Sequence, residues 1–225
     1  MKRNIISGII GCIIGGIFGL IAIHQQPIQR QKEIEAIKQY SVTVIREEVK
    51  DEDEETFDVE EYWRYVEAKQ QYEAQRYIRM RDADRELTEM GIEIPPQVIE
   101  YCTEAGEKYD ISPEFLEAIC WVESNCEPDA VNGSCKGIMQ VSDRWHYDRM
   151  ERLGVTSIFD ERGNIIVAAD YLRELFDTYG DDDPLVLDYY NGNSHADENA
   201  ENGIISDYAG RVLTIAKLLE DANGK

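Results

Sequence analysis

Ile119-Cys120-Trp121-Val122-Glu123-Ser124, followed by Gly137-Ile138-Met139-Gln140-Val141, is the stretch on which the reading of this chain turns. The first half is the end of an apolar helical run. Ser112 is a candidate N-cap and Pro113 suits the first helical position, so a helix is expected from Pro113 to Ser124. Phe115, Ala118, Ile119 and Val122 recur at helical spacing and predict one buried stripe. Glu123 falls one residue past that stripe, at the edge of the predicted core. A carboxyl there is partly desolvated, which disfavours its charged form and suits a general acid. An ordinary glutamate at a helix end is solvated and inert, so position alone does not make Glu123 catalytic.

The rest of the region carries more. Glu123-Ser124 leads through Pro128, Ala130 and Val131 to Gly137-Ile138-Met139-Gln140. Asn164-Ile165 precedes Tyr171-Leu172 on a strongly amphipathic run, Tyr190-Asn191 follows, and Tyr208 and Val212 lie on the last helical segment. Four such motifs in this order, over roughly residues 95–222, resemble the lytic transglycosylases of the SLT type, in the lysozyme-like superfamily. The resemblance implies an all-α catalytic domain that cleaves the β-1,4 bond between N-acetylmuramic acid and N-acetylglucosamine in peptidoglycan. It implies a single acid/base, Glu123, and a 1,6-anhydro product. It places Ser124, Met139, Gln140, Tyr190, Asn191 and Tyr208 around the saccharide, with Tyr208 reaching the acid; for Met139 a place in the core is the favoured alternative, and for Ser124 a role confined to capping the helix end. It implies no cofactor and no metal. The chain departs from the family at Asn132, Ala168 and Asn193, where serine, glycine and glycine are usual.

Two other readings compete. A hydrolytic muramidase of the same fold needs a second carboxylate to position water, for which Asp129, Asp143 and Asp148 are candidates. A wall-binding module without activity would have no use for Glu123.

The chain has 225 residues and a net charge of −23, a surface that repels nucleic acid and anionic lipid. Lys2 and Arg3 precede an uncharged apolar run from Asn4 to Ile23. Twenty helical residues span the ~30 Å hydrocarbon core, so residues 1–25 are expected to form a retained membrane anchor. The basic start would stay in the cytoplasm and the remainder outside, in a bacterial envelope. A cleaved signal peptide and a lipoprotein signal at Ile9-Ile10-Gly11-Cys12 remain as alternatives.

Residues 26–94 read as an acidic, mostly helical stalk, with Tyr62, Tyr65, Val66, Tyr72, Ile78 and Leu87 interspersed from Val59 to Met90. The catalytic domain is expected over 95–225: helices from Pro96 to Tyr109 and Pro113 to Ser124, a short one around Met139 to Tyr147, then Ile165 to Tyr179, Leu185 to Tyr190 and Ile205 to Leu219. Asn191 to Asn202 reads as a polar loop, and no strand is expected after residue 95. Of five cysteines, Cys102 and Cys120 read as buried thiols, whereas Cys126 and Cys135 bracket the loop after Glu123 as a candidate disulfide. The partners expected are peptidoglycan strands, the membrane and an envelope, secretion or conjugation machine.

Overall fold

The structure, a computed structural model, describes residues 59–225. The expected anchor and the first part of the stalk lie outside these residues. Among the described residues, no helix is long and apolar enough to cross a membrane.

The described chain is mostly helical. Helix α1 spans Val59–Glu89, α2 Pro96–Tyr109 and α3 Pro113–Ser124. Three two-residue strands follow: β1 Val131–Asn132, β2 Cys135–Lys136 and β3 Val141–Ser142. Then come α4 Tyr147–Leu153, α5 Glu161–Tyr179, α6 Asp183–Tyr190, α7 Ala196–Asn202 and α8 Asp207–Ala222.

Packing divides the chain at Gln70/Gln71, and Gln71–Lys225 forms one compact unit. That unit takes in residues 71–94, which the sequence reading gives to the stalk. Ala83, Leu87, Ile92 and Ile94 are buried in it, and Arg76 donates to the Gly224 carbonyl at 2.9 Å. The apolar points of α1 are too sparse to reveal this in sequence, and Tyr72, Tyr77 and Ile78 remain exposed.

Helix α3 is the axis of the core. It packs against α8 on one side and α2 on the other, α2 also packs on α5, and α6 bridges α5 and α8. Leu116, Ala118, Ile119 and Cys120 have no exposed surface. The predicted stripe is therefore too narrow: Glu114 and Glu117 are buried with it, while Val122 is only half-buried.

Helix α3 ends on two successive left-handed residues, Asn125 (φ 52°) and Cys126 (φ 62°). The Cys126 amide reaches back to the Cys120 carbonyl at 3.1 Å, so the last carbonyls of the helix are satisfied as the chain turns away.

Three expectations are corrected. A small antiparallel sheet, ordered β1-β2-β3, occupies the segment after α3, with Asn132 opposite Cys135 and Cys135 opposite Ser142. Strands of two residues are too short to leave an alternating pattern. The short helix expected from Met139 is instead β3 and a turn, because Gln140 takes a left-handed backbone (φ 48°) that no α-helix accommodates. The polar loop after Asn191 contains α7, held by tertiary hydrogen bonds: Tyr189 donates to Asp197 at 2.6 Å and Asn199 to Asp188 at 2.8 Å.

The candidate disulfide is not formed, and Cys102, Cys120, Cys126 and Cys135 are all free thiols. Cys126 turns into the core beside Cys102 and Glu117, where burial pushes its thiol up to about 12. Cys135 lies on the sheet, close enough to Tyr190 to influence it. The two sulfurs therefore belong to different environments. Cys102 and Cys120 are buried as expected, with their sulfurs 3.9 Å apart.

Candidate active site

Glu123 stands in the last turn of α3, half-buried. Burial raises the pKa of its carboxyl, and this outweighs the Tyr208 hydrogen bond and the nearby Arg211 charge, both of which favour the ionised form. The Tyr208 hydroxyl, from the first turn of α8, donates to Glu123 Oε1 at 2.6 Å. Tyr208 is itself held well above the usual phenol range by burial and by the Glu123 charge, so it remains a donor. The site thus holds one carboxyl in a fixed orientation, poised to stay protonated to higher pH than a solvated glutamate.

The floor beside Glu123 is the turn Gly137–Gln140, joined to α3 by Ser124. The Ser124 hydroxyl donates to the Ile138 carbonyl at 2.7 Å and accepts from the Glu127 amide at 3.1 Å. From the other side, Asn164 of α5, fully buried, acts as a triple pin. Its Oδ1 accepts from the Met139 amide at 2.8 Å, and its Nδ2 donates to the carbonyls of Ile158 (2.8 Å) and Lys136 (3.0 Å). Gly137 is required for this approach. Its φ is 78°, and a Cβ there would lie 2.3 Å from Asn164 Nδ2 and 2.7 Å from the Ile158 carbonyl.

Gln140 folds its side chain back under the turn. Nε2 donates to the carbonyls of Gly137 (2.8 Å) and Ala130 (3.2 Å), which fixes the orientation of the amide. Its Oε1 is then buried with no hydrogen-bond partner among the described residues. A buried acceptor left unpaired is costly.

Tyr190, the last residue of α6, donates to the Met139 carbonyl at 2.7 Å. Burial and the Glu123 charge hold its phenol well above the usual range, which places it near the carboxyl. A line of rings leads away from there: Tyr171 lies 5.8 Å from Tyr190, and His146 lies 4.7 Å from Tyr171. His146 has its pKa lowered, first by burial and then by Arg149, which favours its neutral form. On another side, a concavity of about 780 Å³ is lined by Ile92, Trp121, Ile205, Asp207 and Arg211, among others.

The structure therefore gathers Glu123, Gln140, Tyr190 and Tyr208 around one point. Two of the residues placed around the saccharide turn inward instead, as their alternative readings have it. Met139 has no exposed surface and is a core residue. Ser124 uses its hydroxyl inside the protein, as a tie between helix and turn. Asn191 is exposed at the end of α6. Trp145 is 76% exposed, beyond His146. Among the carboxylates weighed as a second catalytic group, Asp143 is taken by Lys136 at 2.6 Å, and Asp129 and Asp148 are exposed. Sequence reasoning missed the pinning role of Asn164, although the Asn164-Ile165 motif marked the position, and it missed Arg211 altogether.

A protein of Enterobacteria phage PRD1 called a transglycosylase is 30% identical over 121 residues, a match covering 53% of this chain and 43% of the phage protein. The chain thus spans under half the length of that relative. Residues 100–204 match the family model of the transglycosylase SLT domain, a span that includes Glu123, Gln140 and Tyr190 and stops just short of Tyr208. Over residues 100–204, then, the chain is similar to the transglycosylase SLT domain.

Proposed function

We propose that the protein is a peptidoglycan lytic transglycosylase with Glu123 as its only catalytic carboxyl. The observation that carries this reading is the state of Glu123. Its pKa is raised by burial and it is oriented by Tyr208, while of the carboxylates weighed as a second group Asp143 is paired with Lys136 and Asp129 and Asp148 are exposed. Glycosidases that use a nucleophile or a base-activated water place a second carboxyl ~5–9.5 Å from the acid. The name of the phage relative points the same way.

In this reading Glu123 protonates the glycosidic oxygen as its bond to C1 of N-acetylmuramic acid breaks. The substrate's 2-acetamido group stabilises the cationic centre. The resulting Glu123 carboxylate, steadied by Tyr208, then takes the proton of the C6 hydroxyl. That oxygen bonds to C1, closes the 1,6-anhydro ring and returns the acid to its starting state. Tyr190 forms a wall beside the carboxyl, and Gln140 braces the turn beneath it. The apolar segment from Asn4 to Ile23 would anchor this unit at the outer face of a bacterial membrane, within reach of the wall.

Mass spectrometry of products released from purified peptidoglycan tests the chemistry. Anhydro-muropeptides from the wild type, and none from Glu123→Gln, are expected. Reducing-end products, heavier by one water, would make the protein a muramidase instead. Alkaline extraction of membranes should leave the full chain in the pellet and release a chain lacking residues 1–25.

A further inference from the structure

Asp188 is a buried carboxylate to which the chemistry above gives no part. It lies on α6, 2% exposed. One oxygen accepts from Asn199 Nδ2 of α7 at 2.8 Å, and the other accepts a short hydrogen bond from the Ser206 hydroxyl. Its backbone carbonyl accepts from the Asn193 amide at 2.8 Å, closing the turn after α6. One residue thus joins α6, α7 and the start of α8.

Ser206 is the N-cap of α8. Its Oγ accepts from the Ala209 amide at 3.2 Å while its proton goes to Asp188. The bond to Asp188 therefore sets the direction of the hydroxyl and leaves its lone pair facing the helix. Tyr208 sits two residues further on, in the first turn of α8, and its hydroxyl meets Glu123. The path from Asp188 to the carboxyl has three links: Asp188 to the Ser206 cap, the cap to the first turn of α8, and Tyr208 to Glu123. Asp188 also lies two residues before Tyr190 on α6, so both tyrosines near the carboxyl hang from elements that it ties together.

We infer that Asp188 is a positioning residue for the acid: through the Ser206 cap it holds Tyr208 in hydrogen-bond register with Glu123. This rests on Glu123 being the working acid. The chemical reason a carboxylate is needed is that both neighbours are donors. An amide at 188 can still accept from Asn199, but it then turns its N–H₂ toward Ser206, and the Ser206 proton loses its acceptor. The first turn of α8 shifts, and a misplacement of ~1 Å at a catalytic contact can cost up to ~10²-fold in rate.

The test uses the full chain and two readouts. The first is the rate of muropeptide release across pH. The second is the titration of Glu123, followed by carboxyl carbon NMR and assigned with Glu123→Gln. Asp188→Asn is expected to slow release ~10-fold at unchanged KM. It should also move the Glu123 titration upward, in the direction of Tyr208→Phe, because both loosen a bond that favours the carboxylate. Ser206→Ala removes the same link without touching Asp188, and it should shift the titration the same way by less. It decides the matter if the Asp188 variant does not fold. In the Tyr208→Phe background, Asp188→Asn should add nothing. Glu114→Gln, at the other end of α3, serves as the structural control: a lower Tm with the titration in place. An unmoved titration in both Asp188→Asn and Ser206→Ala, or a further shift on top of Tyr208→Phe, would overturn the inference. A wild type inert on peptidoglycan would count against the proposed function, while the titration would still decide the role of Asp188.

Discussion

The two ends of α3 carry glutamates that burial treats alike and partners treat differently. Toward the start of the helix, Glu114 and Glu117 are 2% and 3% exposed. Burial alone would raise both. At Glu114 it is outweighed by hydrogen bonds from Lys225, Asn223 and Ser112, which hold the carboxyl below its ordinary value. At Glu117 the Glu114 charge adds to burial, and the carboxyl is pushed up to about 7. At the far end, Glu123 is raised by burial but keeps one phenol donor and a nearby arginine. Desolvation pushes all three carboxyls upward, and the hydrogen-bond donors within reach decide whether each ends raised, as at Glu117 and Glu123, or lowered, as at Glu114. A catalytic acid needs the middle course: raised enough to hold its proton, yet with a donor to steady the carboxylate when the proton leaves.

Removing each carboxyl in turn tests the comparison. Glu123→Gln should lower peptidoglycan cleavage by about 10³-fold with the Tm near wild type. An equal loss from Glu117→Gln would erase the distinction between the two ends.

Glu117→Gln should instead change stability. A carboxyl raised in the folded state destabilises the fold as pH climbs from its ordinary value of 4.5 through about 7, because the unfolded chain releases the proton first. The amide should therefore stabilise by about 2–3 kcal/mol at pH 8 and by nearly nothing at pH 4, as read by urea unfolding at the two values.

Tyr208→Phe should cut the rate about 10-fold and move the basic limb of the pH–rate profile upward, since the hydrogen bond it removes lowers the Glu123 pKa. A downward move would mean that Tyr208 stabilises the protonated acid.

Glu114→Gln should have the smallest effect, a loss of about 1 kcal/mol at pH 7, because its ion-pair partner Lys225 is 55% exposed. The sign here is opposite to that at Glu117. A depressed carboxyl stabilises above its ordinary value, so this difference should fade as pH falls below about 4.5.

What could be read from the chain beforehand follows the same physics. Helices α2 and α3 begin and end where their prolines and apolar spacing predict. Both N-termini lack a side-chain cap; Ser112 gives its hydroxyl to Glu114 instead. Glu123 could be singled out because it combines an edge-of-core position with a family motif. Tyr208 could be expected to reach it, from the last helix. The burial of Glu114 and Glu117 could not be anticipated, since charged residues on a helix read as its solvated face until α8 and the last residues of the chain pack over them. The seat of Met139 in the core, by contrast, is the favoured reading of the sequence, and Ile138 and Val141 are buried beside it.

Local chemistry written in the sequence determined the starts of α2 and α3, the catalytic candidate and the order of the motifs. Each depends on residues within a few positions of one another, and those interactions survive in any arrangement of the chain. Tertiary structure alone decided which glutamate found a donor, which cysteines faced each other, and which end of α1 belonged to the core. Those outcomes depend on contacts between residues more than a hundred positions apart, such as Lys225 with Glu114, 111 apart, and Arg76 with Gly224, 148 apart. No pattern along the chain encodes such a contact, because desolvation and hydrogen bonding act on whatever the fold brings together.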